Sequence, residues 1–182
     1  GSGIFRLQGG AFPGAPMEFT AMCAFAPYNL QNVQQIGYDV LNNRPKQAAY
    51  RAPGSPMAAF AVESVIDELC NQLKLDPIEV RLKNASKEGT KASFGPKWDK
   101  IGLVECLESA KNHPHYSSPL LEGQGRGISS GFWFNHGGET AVSLALSEDG
   151  TAALSVGTPD IGGSRASMCQ FAAEELGIDY DK

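Results

Sequence analysis

The sequence predicts an α+β fold on three observations: two proline-headed helices in succession, an antiparallel meander about an Asp-Gly turn, and a glycine-closed helix at the end. Helices thus fill the first two thirds, and strands with one C-terminal helix fill the rest. The first helix opens at Ser55-Pro56. Ser55 offers a capping hydroxyl, and Pro56 lacks the N–H that a first turn would leave unpaired. Val62, Val65, Ile66, Leu69 and Leu73 follow at helical spacing and form the expected core face. Glu63, Ser64, Asp67, Glu68, Asn71 and Gln72 occupy the other face, and the charge run Glu63, Asp67, Glu68 is expected to be solvated. Asp76-Pro77-Ile78-Glu79 repeats the start signal, with a capping carboxylate and a glutamate three residues on, so a short helix runs to about Asn84. A third helix over 103–111 stops at His113-Pro114.

The period then changes. Thr140, Val142, Leu144 and Leu146 alternate with Ala141, Ser143 and Ala145, Asp149-Gly150 turns the chain, and Ala152, Leu154 and Val156 alternate again. An earlier strand is expected over 127–134. The loop over 157–163 leads into a helix over 164–176 that Gly177 closes. Ahead of all this, residues 1–27 lack either period and read as irregular, and 28–40 offer a short strand before the turn-prone Asn42-Asn43-Arg44-Pro45. Three regions follow: 1–47, irregular with a short strand; 48–115, helical with an arginine loop at its start; and 116–182, strands, a glycine loop and a helix.

Apolar residues make up 42% and charged residues 19%, with no run long enough to cross a membrane. A net charge of -5 opposes sequence-independent attraction to phosphate backbones, which sets nucleic acid aside. Cys23, Cys70, Cys106 and Cys169 form no C-x-x-C pair and read as reduced thiols, with Cys70 and Cys169 inside predicted helices as small hydrophobes. His113, His115 and His136 are too scattered for a metal ligand set. No nucleophile, base and orienter can be assembled from spacing, so no catalytic residue is assigned. No signal peptide is visible and Gly1-Ser2 reads as an appended scar, so the expected compartment is the cytoplasm, with the periplasm also allowed.

Two turns could carry chemistry. In Gly157-Thr158-Pro159-Asp160-Ile161-Gly162-Gly163-Ser164-Arg165-Ala166-Ser167, two glycines permit close backbone approach and precede a helix start whose free N–H groups suit an anion. Arg165 and the hydroxyls of Ser164 and Ser167 would add donors. The plain alternative is a strand-to-helix turn with glycine for geometry and serine as a cap. The second turn is Ala48-Ala49-Tyr50-Arg51-Ala52-Pro53-Gly54, where Arg51 offers a planar fork of donors to a polar ligand, or pairs with a carboxylate or solvent.

These residues also carry a resemblance. Ala49-Tyr50-Arg51-Ala52-Pro53-Gly54-Ser55-Pro56, then Leu75-Asp76-Pro77-Ile78-Glu79-Val80-Arg81-Leu82-Lys83-Asn84, resembles the YRGPG, helix, LDPxExRxxN segment of the large subunits of molybdenum hydroxylases of the xanthine dehydrogenase and aldehyde oxidase type. Asp149-Gly150, Gly157-Thr158-Pro159-Asp160-Ile161-Gly162-Gly163-Ser164 and Gln170-Phe171-Ala172-Ala173-Glu174-Glu175-Leu176-Gly177-Ile178 are similar to the DG, DIGxG and QxAAExLGI blocks of the same subunits. The resemblance runs from about residue 20 onward and implies an internal fragment of a molybdopterin-binding domain.

It implies a hydroxylase that inserts water-derived oxygen into a C–H bond of an aldehyde or N-heterocycle, on molybdenum held by molybdopterin. Electrons would leave through iron-sulfur clusters and FAD on partner subunits or domains. Tyr50, Arg51 and Ala52, with Gly162, Gly163, Ser164 and Arg165, would then lie against the cofactor. Phe19 stands where xanthine dehydrogenases carry a substrate-orienting arginine, which argues against a purine. Ala52 stands where carbon monoxide dehydrogenases carry a copper-bridging cysteine, Pro53 replaces an aromatic residue that stacks on substrate, and the glycine turn is one residue shorter than the GQG form. The family's upstream glycine-rich loop and its late glutamate base find no match. The chain alone is therefore expected to be inactive and to hold little cofactor, and a homodimer through uncovered apolar surface is allowed. The competing expectation is a non-catalytic homologous domain used in subunit assembly.

Overall fold

In the computed structural model, residues 7–8, 15–40, 43, 50–134 and 138–181 are described. Asn42, Arg44, Pro45, Ala48, Ala49 and His136 lie outside them, as do 1–6 and 9–14 of the segment expected to be irregular. The chain forms two compact units, 1–134 and 135–182.

In the first unit, Leu7–Gln8 (β1) pairs in parallel with Asp39–Val40 (β2), the short strand expected in 28–40. Between them runs a helix that periodicity does not announce, Ala15–Ala24 (α1). The expectation of an irregular stretch through residue 27 is corrected here: α1 carries no polar stripe, and its small residues let it lie closely on the next helix, Ser55–Leu73 (α2). Cys23, Ala24, Tyr28, Ala58 and Val62 form the core at this contact, with Phe25, Ile66, Phe132 and Phe134 packed against it.

Ser55 does not cap α2. The N-cap position falls to Gly54 in a left-handed conformation, φ 86°, and the Ser55 hydroxyl reaches instead to the carbonyl of Phe132 at 2.5 Å. The expected core face of α2 is also only half right. Val62 is buried and Ile66 partly so, but Val65, Leu69 and Leu73 are 38%, 48% and 63% exposed.

Pro77–Asn84 (α3) starts as the sequence dictates. Asp76 Oδ1 accepts the N–H groups of Ile78 and Glu79 at 2.8 and 2.9 Å, and its Oδ2 accepts the Tyr116 hydroxyl at 2.8 Å. Against the opposing effect of partial desolvation, these donors, with the Glu79 N–H foremost, hold the Asp76 carboxyl below the usual carboxylate range. Asp76→Ala is expected to cost about 1–2 kcal/mol at neutral pH, the upper range of a lost cap. A carboxyl with a depressed folded pKa stabilises above its unfolded value of about 3.9 and loses that contribution as pH falls through the folded value. The gap between variant and parent urea midpoints should therefore close in acid; a gap independent of pH would refute the assignment. Glu79, instead of closing a capping box, pairs with Lys111 in Leu103–Asn112 (α4), which His113 ends as it begins Pro114–Ser117 (α5).

A buried polar cluster ties these elements together. Glu63 (5% exposed) accepts the Tyr28 hydroxyl, Arg81 Nε at 2.8 Å and the Ser130 N–H at 2.8 Å. Arg81, fully buried on α3, donates its Nη2 to Asp67 at 2.8 Å. The expected solvated charge run is thus corrected: Glu63 and Asp67, one turn apart, converge on one guanidinium, and only Glu68 is fully at the surface. Burial, and then the Glu63 carboxylate, push the Tyr28 phenol up.

The cluster also explains why no strand forms over 127–134, where the sequence suggested one. That extended stretch is bonded to side chains of α2, through the Ser130 N–H and the Phe132 carbonyl, in place of a ladder. Its rings meet Phe94 and Trp98: Trp98 to Phe132 is 4.9 Å between centroids, and Phe132 to Phe134 is 5.0 Å.

The second unit holds the expected hairpin. Val142–Leu146 (β3) runs antiparallel to Ala152–Val156 (β4), Val142 opposite Val156, and Asp149 accepts the Thr151 N–H and hydroxyl at the turn. Ser164–Leu176 (α6) follows and ends at left-handed Gly177, φ 68°. No helix among the described residues is long and apolar enough to cross a membrane. All four cysteines are free, with Cys23 and Cys70 buried.

Candidate functional site

The Arg51 turn is built by its neighbours. Ala52 takes a left-handed backbone, φ 60°, and its carbonyl accepts the Ser55 N–H at 3.0 Å, so the chain reverses immediately ahead of α2. With Gly54 also left-handed, the reversal leaves Tyr50 and Arg51 exposed at the surface. A side chain held in this region costs on the order of 1 kcal/mol or more and persists only where the surroundings impose it. Here they do: Ser55 is anchored to Phe132, and α2 to the Glu63 cluster.

The glycine turn is built differently from what the sequence suggested. Gly162 and Gly163 have φ of 113° and 93°, conformations glycine adopts freely, and Gly163 takes the N-cap position of α6. Their N–H groups do not point to solvent for an anion. Both donate to Asp160 Oδ1 at 3.0 Å, the Ser164 hydroxyl lies 3.2 Å from the same oxygen, and the Ser167 hydroxyl turns back to the Gly163 carbonyl. The Gly162 N–H, followed by the Ser164 and Gly163 donors, holds the Asp160 carboxyl below the usual carboxylate range. The chain has thus placed its own carboxylate on the two glycine N–H groups ahead of α6, where an outside anion was expected. Arg165 remains at the surface, 83% exposed, with its Nε 4.0 Å from Asp160. Beside the turn lies a cleft of about 310 Å³ lined by Val156, Thr158, Asp160, Ser164, Arg165 and Met168, among others.

Phe19, on α1, packs on Trp133 and Phe134 at 5.8 and 5.9 Å between centroids. The sequence suggested a strand for Trp133 and Phe134 and a solvated helix face for Glu63, and neither reading brings them to a site. The partners of Glu63 lie 18, 35 and 67 residues away, so local spacing does not single it out.

Comparison with known proteins bears directly on these turns. Residues 5–85 match one molybdopterin cofactor-binding domain family, and residues 117–182 match a second. Each match contains one of the two turns. The chain belongs to the molybdopterin-binding subunits of the xanthine dehydrogenase and aldehyde oxidase family. It is 31% identical to the xanthine dehydrogenase molybdenum-binding subunit of Escherichia coli, over 75% of this chain and 20% of that protein. It is 29% identical to the aldehyde oxidoreductase of Megalodesulfovibrio gigas, over 82% of this chain and 18% of that one. The crystal structure of the aldehyde oxidoreductase from Desulfovibrio desulfuricans superposes with a TM-score of 0.68 at 25% identity, covering 96% of this chain and 21% of that chain. The chain therefore spans about a fifth of the length of the curated molybdenum hydroxylase subunits it matches.

The two turns differ in the groups they offer an anion. At Arg51 an exposed guanidinium accompanies a left-handed backbone. At α6 the exposed Arg165 is the group able to meet an anion, because the glycine N–H groups already serve Asp160.

Proposed function

We propose that this chain contributes two cofactor-facing turns to a molybdenum hydroxylase that oxidises aldehydes or N-heterocycles with water-derived oxygen: Tyr50, Arg51 and Ala52 at one, Gly162, Gly163, Ser164 and Arg165 at the other. The observation that carries this reading is the pair of domain matches, each enclosing a turn with an arginine at the surface. The bound group supplies oxygen insertion and electron uptake; the protein binds, orients and excludes water. Arg51 would hold the cofactor through charge-assisted hydrogen bonds from its fork, and Arg165 would do so from the start of α6. Electrons would pass to iron-sulfur and FAD partners. Phe19, standing where xanthine dehydrogenases carry a substrate-orienting arginine, favours substrates other than purines.

The family's general base has no counterpart within these residues, so the isolated chain is expected to be inactive and to retain little metal. A second reading has a specific observation behind it: with Asp160 already on the helix-start N–H groups, this is a homologous domain that keeps the fold for subunit assembly without catalysis. Molybdenum and pterin analysis separates the two. The complete large subunit, produced with its cofactor-loading machinery, should carry close to one molybdenum per chain, and the 182-residue chain only traces. Near-stoichiometric metal on the isolated chain would overturn the inactive fragment. A complete subunit without metal would favour the assembly domain.

A further inference from the structure

Val65, Leu69 and Leu73 lie four residues apart on α2, in one row of its surface, and all three are exposed. At 1.5 Å per residue the row runs about 12 Å along the helix. Beside it is a groove of about 270 Å³ between α2, the 25–30 segment and α3, walled by Phe25, Leu30, Ala61, Val65, Leu69 and Val80. Row and groove share Val65 and Leu69, so they form one apolar surface. Val65, Leu69 and Leu73 sit at positions that the amphipathic period of α2 assigns to a buried face.

We propose that this surface is the seat of a further α-helix, supplied by the part of the large subunit outside these 182 residues; the inference rests on the reading of the chain as a portion of such a subunit. A row at i, i+4 and i+8 is a ridge, and ridges of this class seat in the grooves between the corresponding rows of a second helix, the commonest helix pairing in globular proteins. The groove alongside would take apolar side chains from the same helix, as amphipathic helices bury i and i+4 anchors in clefts. The source follows from length. The relatives continue for about four fifths of their chains beyond what aligns here, so ample polypeptide exists to cover such a face within one molecule. A second copy suits the surface less well, because it would bring Glu68, exposed one position before Leu69, to each side of the pair.

The test places a photo-crosslinking benzoylphenylalanine at Leu69 of the complete subunit, and separately at Leu73, with exposed Lys87 as control position. The expected result is an intramolecular crosslink from 69 and 73, mapped by peptide mass spectrometry to one helical segment outside residues 1–182, with at least tenfold less product from 87. Crosslinks between two copies, to an iron-sulfur or flavin partner, or at the level of the control from both positions would overturn the proposal. Molybdenum content measured on the same samples keeps the two ideas apart: metal-loaded protein lacking the crosslink defeats the helix seat alone, and metal-free protein that crosslinks as expected defeats the hydroxylase reading alone.

Discussion

Glu63→Ala should lower the stability of the first unit by about 3–5 kcal/mol, the usual result of removing one member of a buried ion pair. Three donors lose their acceptor at once: the Tyr28 hydroxyl, Arg81 Nε and the Ser130 N–H. Arg81 keeps Asp67, so its charge is not wholly stranded, but it stays fully buried while Asp67 stands partly in solvent. Glu63→Gln keeps an acceptor for the two neutral donors and should fall between parent and alanine. Urea unfolding with an unchanged m-value measures the loss. Because 3–5 kcal/mol is a large part of a domain's stability, the paired variant Glu63→Met with Arg81→Met supplies a second readout. It should recover part of the loss by replacing two charges with apolar volume, although the Tyr28, Ser130, Asp67 and Pro77 groups lose these partners. An alanine variant within about 1 kcal/mol of the parent would show that the cluster is decoration and not a tie.

The second large effect concerns the arginine turn. Arg51→Met in the complete subunit should cut molybdenum and pterin content tenfold or more, since hydrogen bonds from a charged donor contribute about 1.5–3 kcal/mol and each 1.4 kcal/mol is a factor of ten. Thermal unfolding should move little, because Arg51 lies at the surface and the core is built from α1, α2 and the aromatic segment. Arg165→Met should have the smaller effect on loading, since Asp160 stands near that guanidinium. Unchanged metal content with Arg51→Met would remove this residue from the cofactor site, and a lowered melting temperature in parallel with lost metal would assign it to the fold instead.

How far the sequence could be read depended on whether the decisive contact was local. Asp76 as a cap, Asp149-Gly150 as a hairpin turn and Gly177 as a helix stop involve residues two to four apart, and each appears where the spacing puts it. The errors concern contacts made at long range. Glu63 cannot be told from a surface glutamate until Arg81, Tyr28 and Ser130 come to it from 18, 35 and 67 residues away. The 127–134 stretch has strand-like composition, yet finds side chains of α2 where a strand would need another strand. α1 was illegible for the opposite reason: a helix with small or apolar residues around it has no stripe to betray its period. At the candidate site both turns were legible as turns. The use Asp160 makes of the Gly162 and Gly163 N–H groups is equally local, two and three residues away, but a glycine turn ahead of a helix has the same sequence signature whether it serves a side chain or an outside anion.

The left-handed alanine at the arginine turn makes that turn depend on the rest of the fold. Position 52 takes its final torsion at a cost on the order of 1–2 kcal/mol, so a free peptide spanning the turn favours other conformations. In the folded chain the bond from Ser55 to the Phe132 carbonyl, across 77 residues, offsets that cost by holding the start of α2 against the aromatic stretch. Display of the guanidinium thus depends on contacts far from it in sequence, and a short peptide carrying residues 50–56 alone is expected to populate the turn poorly.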